Sequence, residues 1–146
     1  MILPNLRECG NCKGREGELR LDPRAQRRFS PPVLREQLKS KIHRAVVSEA
    51  DVDYEGSIEI PGDLMDAVDL WDGEKVLVTS ATSGHRLETY AQRGPEGTGR
   101  IIMNGGAALL IKQGERITIM AFVLSAERVL PCKVLMNEHN EVTRRI

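Results

Sequence analysis

Lys75-Val-Leu-Val-Thr-Ser80, then Thr82-Ser-Gly84, then His85-Arg-Leu-Glu-Thr-Tyr-Ala-Gln92 is the stretch that decides the fold class. A β-branched run, three turn residues and a second run of alternating character read as a β-hairpin. The same grammar continues on both sides. Upstream, Ile42 to Val47 is β-branched enough for a strand, and Ser57-Ile-Glu-Ile60 alternates polar and apolar residues. Pro61-Gly62-Asp63 breaks that run, with Asp63 as the expected N-cap of a short helix burying Leu64, Met65 and Val68. Downstream, Gly94 to Gly99 is a loop and Arg100 to Met103 a short strand. Ala107 to Leu110 is a short helix stopped by Gly114, and Arg116 to Leu124 is the most apolar strand. Ser125 to Arg128 reads as one helical turn, Lys133 to Met136 as a last strand, and Asn137 to Asn140 as a turn. Many short strands with few helices predict a mainly β fold, a small closed barrel.

The totals exclude several functions. Lys+Arg and Asp+Glu each number 21, so no net field attracts nucleic acid or an anionic membrane. Two Phe, two Tyr and one Trp are too few for a base-stacking platform. No apolar run approaches the roughly 18 residues of a membrane span, and the N-terminus has no secretory h-region. Three cysteines without a framework pattern fit a reducing cytoplasm.

Charge is unevenly spread. Residues 1–32 hold seven Lys/Arg against four Asp/Glu, while 33–146 hold fourteen against seventeen. The first segment also carries Pro4, Pro23, Pro31 and Pro32. It reads as a disordered extension or as a start placed too far upstream, with 33–146 as the folded domain. Cys9-Gly-Asn-Cys12 lies in it, but no second CxxC or spaced histidine pair follows to complete a metal site. Cys132 reads as a buried, inert thiol. GxSxG, GxxxxGK[ST] and HExxH are all missing, and the three histidines, His43, His85 and His139, have no metal-ligand spacing, so no metal site is expected.

Four segments remain to be explained. They are Lys39-Ser-Lys-Ile-His-Arg-Ala45, Asp53-Tyr-Glu-Gly-Ser57, His85-Arg-Leu-Glu-Thr-Tyr90 and Asn104-Gly-Gly-Ala-Ala108. In this order and spacing they resemble the bacterial aspartate 1-decarboxylases, over about residues 33–142. The resemblance implies a double-psi β-barrel, a cytoplasmic homotetramer, and active sites between subunits. It also implies a zymogen that cuts its own backbone between Gly56 and Ser57, in some cases with an accessory protein. Ser57 would become a pyruvoyl group, the covalent cofactor. That group would form a Schiff base with L-aspartate, whose decarboxylation to β-alanine feeds pantothenate biosynthesis. The main rival is a non-catalytic β-barrel interaction module, which would stay one uncut chain.

The residue types suit the implied roles. Gly56 leaves its carbonyl open and tolerates unusual φ/ψ, and Ser57 supplies a nucleophile. By the same resemblance Tyr90 returns a proton to the carbanion, and Arg86 grips a carboxylate with its planar fork. Lys41 and Thr89 are further substrate contacts. Gly105, Gly106 and Ala107 offer backbone N–H groups, Gly106 standing where the family has alanine. Asn104, His43 and Tyr54 support the site. Period 2 places Arg86, Glu88 and Tyr90 on one strand face and Thr89 on the other; a bulge could bring Thr89 and Tyr90 to one site, but the sequence does not show one.

Overall fold

The computed structural model describes residues 31–146, and Pro32–Ile146 forms one unit. The expectations for residues 1–30, including Cys9 and Cys12, lie outside the described residues. Nine strands and two short helices follow in the described chain: β1 Arg35–Val46, β2 Glu49–Asp51, β3 Ser57–Pro61, α1 Gly62–Ala67, β4 Lys75–Ser80, β5 Arg86–Gly94, β6 Ile102–Asn104, α2 Ala107–Leu110, β7 Arg116–Ser125, β8 Cys132–Met136 and β9 Val142–Arg145. The hydrogen-bonded order is β2-β6-β3-β5-β4-β7-β1-β8-β9. The fold is therefore mainly β, as the hairpin reading predicts. Among the described residues no ladder joins β2 to β9, the two ends of this order. Closure into a barrel is thus not drawn by the ladders.

The alternation seen in the sequence fills the core. Val76 and Val78 of β4, Ile117, Ile119 and Ala121 of β7, and Val134 and Met136 of β8 all point inward. In β1 the buried positions Ile42 and Ala45 are three apart. A bulge between His43 and Ala45 accounts for this, with Arg44 at φ +66° as the extra residue that returns Ala45 to the inner face. Leu64, Met65 and Val68 are buried as expected, although Val68 lies just past the end of α1.

Three local readings are corrected, and two strands are added. Asp63 is not the N-cap of α1; Pro61 holds that position, and the Asp63 carboxylate accepts the Gly97 N–H across the chain (3.0 Å). Residues 125–128 form no helical turn. Gln37 donates to the Glu127 carbonyl (2.7 Å) and accepts the Val129 N–H (3.0 Å), which holds this segment open, and Pro131 disfavours a helical Leu130. Gly114 does not stop α2, because the backbone is already extended at Ile111. The strands β2 and β9 are too short or too polar to show in the sequence pattern.

Candidate active site

β3 begins at Ser57, between β5 and β6. Its parallel register with β5 starts at Ile58–Ala91, and its antiparallel register with β6 starts at Ser57–Asn104. Extended back by one and by two residues, the parallel register sets Ser57 beside Tyr90 and Gly56 beside Thr89. The Gly56–Ser57 peptide therefore lies at a strand entry, walled by two neighbouring strands.

The backbone there is strained. Gly56 has φ +94°, and Ser57 has φ +152°, outside the ordinary regions for a residue with a Cβ. Ser57 is 1% exposed, so its hydroxyl needs partners inside the protein. It donates to Gln92 Oε1 (2.8 Å) and accepts from Asn104 Nδ2 (3.0 Å). Tyr90 Oη donates to the Gly56 carbonyl oxygen (2.7 Å). Gln92 Nε2 donates to Tyr54 Oη (3.1 Å). One network thus joins Tyr54, Gln92, Ser57 and Asn104, with Tyr90 on the adjoining carbonyl.

Gly105 closes the floor. Its φ is +62°, and its N–H donates to the Asp51 carbonyl (2.6 Å). A Cβ at Gly105 would stand 2.7 Å from Gly56 Cα and 2.8 Å from the Tyr54 carbonyl oxygen. Only glycine lets the Asn104–Gly106 turn lie against the Gly56 backbone. Gly106 differs: a Cβ there meets nothing within 4 Å, and its φ of −59° is ordinary.

Gly56, Ser57, Thr89, Asn104, Gly106 and Ala107 border a depression of about 180 Å³. That is below the roughly 300–1,000 Å³ of sites for drug-sized ligands and suits a small metabolite. Thr89 reaches it without a bulge in β5. The β4–β5 register runs unbroken from Lys75–Tyr90 to Thr79–Arg86. Because the Gly56–Ser57 peptide lies in line with the sheet, side chains from both faces of β5 flank it.

Other expected residues lie elsewhere. Arg86 is exposed at the start of β5 and does not border the depression. Lys41 and His43 are on β1, with β7 and β4 between that strand and β5. His43 Nδ1 is 3.0 Å from Thr118 Oγ1. Burial, with smaller contributions from Lys41 and Arg44, holds its pKa below the ordinary 6.5, so His43 is neutral at pH 7. Cys132 is half-buried. Among the described residues no group of three or more His, Cys, Asp or Glu is placed to hold a metal ion, and no helix is long and apolar enough to cross a membrane.

Gln92 was missed in the sequence. The available signal was its i+2 spacing from Tyr90, which puts both on one face of β5. Nothing in the sequence paired it with Ser57, 35 residues away.

Comparison with known proteins agrees with this geometry. The family model described as aspartate decarboxylase matches residues 33–143. An aspartate 1-decarboxylase of Pseudothermotoga lettingae is 43% identical, covering 75% of this chain and 96% of its own length. Aspartate 1-decarboxylase 1 of Frankia casuarinae is 47% identical, covering 77% and 75%. The aspartate 1-decarboxylase of Corynebacterium efficiens is 50% identical, covering 65% and 70%. A match over most of the chain, with a strained Gly-Ser peptide at its centre, shows that the chain belongs to the aspartate decarboxylase family.

Proposed function

We propose that this chain converts L-aspartate to β-alanine and CO₂, after cleaving its own backbone between Gly56 and Ser57. Aspartate decarboxylation, the source of β-alanine for pantothenate and coenzyme A, follows from family membership. The observation that carries the cleavage is the Gly56–Ser57 peptide itself, with its φ angles and a buried hydroxyl in a polar network.

In the cleavage step, a bond forms between Ser57 Oγ and the Gly56 carbonyl carbon while the Gly56–Ser57 C–N bond breaks. The hydroxyl proton ends on the Ser57 nitrogen, and the product is an ester. Tyr90 Oη already donates to the oxygen on which negative charge grows. Loss of the Ser57 Cα proton then expels Gly56 as a carboxylate. Water replaces the nitrogen, which leaves as ammonia, and Ser57 becomes a pyruvoyl group. The site fits that group, because Asn104 and Tyr90 present donors beside Ser57 and Gly105 and Gly106 add no side chain on the turn next to it.

When formed, the pyruvoyl group supplies an electron sink for the pair released as CO₂ departs. The protein's own residues do the rest. Thr89 and the amides of Gly106 and Ala107 offer donors to a substrate carboxylate in the depression. Tyr90 returns the proton, its phenol O–H lying against the Gly56–Ser57 peptide.

Lys41 and Arg86 fall outside this depression within one chain, which supports a site completed by a second copy. Exposed Leu109 and Leu110 beside the site, and Phe122, Leu124 and Leu130 elsewhere, offer apolar surface for a homotetramer. Parallel pairing of β1 with β8 and of β3 with β5, among antiparallel neighbours, supports a double-psi arrangement. The family match from residue 33 supports 33–146 as the decarboxylase domain, and a cytoplasmic biosynthetic role accords with it.

The test is denaturing intact mass of the purified protein. Two chains are expected, the second beginning at a pyruvoyl group from Ser57, and borohydride with aspartate should trap an adduct on it. An active preparation with Ser57 intact would refute the proposal. Ser57→Ala should stay uncut and inactive. Tyr90→Phe should lower decarboxylation by about 10²–10⁴-fold per cleaved chain. Near-normal turnover in that variant would remove Tyr90 from proton return.

A further inference from the structure

We propose that Gln92 orients the Ser57 hydroxyl for self-cleavage, acting as the acceptor that draws its proton away from the Gly56 carbonyl. This rests on the cleavage reading above and deepens it.

A serine hydroxyl has one proton to give and two lone pairs to offer. Asn104 Nδ2 occupies one lone pair of Ser57 Oγ, at 3.0 Å. The proton is directed to Gln92 Oε1, at 2.8 Å. One lone pair therefore remains for the Gly56 carbonyl carbon. Without an acceptor at position 92, the hydroxyl would be free to turn its proton toward other oxygens, including that of the carbonyl it must attack. Donation to an acceptor also raises the electron density on Oγ.

The orientation of the Gln92 amide is itself fixed. Oε1 faces Ser57, and Nε2 donates to Tyr54 Oη at 3.1 Å. A flipped amide would present a second donor to Oγ beside Asn104, leaving the hydroxyl proton without an acceptor. Tyr54 thus acts through Gln92, as a positioning residue. Gln92 is well placed for this because β5 runs beside β3, pairing Gln92 with Glu59 two residues past Ser57. An amide is too weak a base to keep the proton. The proton stays on Ser57 Oγ, hydrogen-bonded to Gln92, until it passes to the Ser57 nitrogen as the C–N bond breaks, so no external acceptor is needed.

The experiment follows cleavage of freshly synthesised chains by denaturing intact mass, for wild type, Gln92→Leu and Gln92→Glu across a pH series. Gln92→Leu keeps the approximate volume and removes the acceptor, and cleavage should slow about tenfold, the scale of one hydrogen bond. Gln92→Glu places a stronger acceptor at the same site. Its cleavage rate should rise with pH through the range of the introduced carboxyl, a dependence that wild type lacks and that a structural role would not create. If wild type cleaves at Gly56–Ser57 while Gln92→Leu cleaves as fast or faster, the role of Gln92 is overturned and the cleavage reading stands. If Gln92→Leu does not fold, Gln92→Glu decides alone, and a pH profile equal to that of wild type overturns the proposal. Absence of cleavage at this bond in wild type would instead remove the cleavage reading, and this inference with it.

Discussion

Gly105 and Gly106 are neighbours under opposite constraints. Gly105 combines φ +62° with a Cβ direction that ends 2.7 Å from Gly56 Cα, so any side chain must displace the backbone to be cut. Gly105→Ala is expected to cost about 1–3 kcal/mol from backbone conformation alone and to slow cleavage, read by intact mass and urea unfolding. Gly106 has room for a Cβ and an ordinary helical φ. Gly106→Ala should cleave normally and gain about 0.4–1 kcal/mol, because alanine narrows the unfolded ensemble. A loss of stability in Gly106→Ala would show that the added methyl is not accommodated. The resemblance singled out both residues, but only their backbone geometry separates them.

At the scale of elements, the hairpin of β4 and β5 is fastened to the start of β7 by one carboxylate. Glu115 accepts hydrogen bonds from Ser80 Oγ, from Ser83 Oγ (2.7 Å) and from the Lys112 N–H (2.9 Å). Burial pushes its pKa up, but these donors and the nearby His85 outweigh that and hold it below the ordinary 4.5. A carboxyl with a depressed folded pKa contributes stability that is present above its unfolded value. That contribution is lost as pH falls through 4.5 toward the folded value. Glu115→Gln should therefore unfold more easily at neutral pH, with its deficit shrinking as pH falls below 4.5. A deficit constant with pH would dissociate the effect from ionisation. The core of the same sheet sets a larger scale: Ile119→Ala, at a side chain 1% exposed, should cost about 2–5 kcal/mol in urea unfolding.

For the molecule as a whole, the position of Lys41 is decisive. β1 and β5 are separated by β7 and β4, so Lys41 does not meet the Ser57 depression within its own chain. If a second copy supplies it, two inactive variants should complement. Lys41→Ala and Ser57→Ala chains, expressed together, should recover part of the wild-type turnover, because some sites pair an intact Ser57 with an intact Lys41. Separate expression followed by mixing of stable assemblies should recover less. No recovery on co-expression would place both residues' functions in one chain.

Seven of the nine strands, the core alternation and the Gly56–Ser57 pair are legible in the chain's local pattern. These depend on local propensity, on period-2 burial and on short motifs, all carried by neighbours in the chain. The sequence also named Asn104, Tyr90 and Thr89 through resemblance. Only the tertiary structure decided that Gln92 meets Ser57, that Arg44 is a bulge residue, and that Gly105, not Gly106, must be glycine. It also brings Thr89 to the depression on an unbroken β5 and keeps Lys41 and Arg86 apart from it. Each of these follows from strand order and register, which are settled by packing between segments far apart in the chain. A one-dimensional pattern does not contain that information.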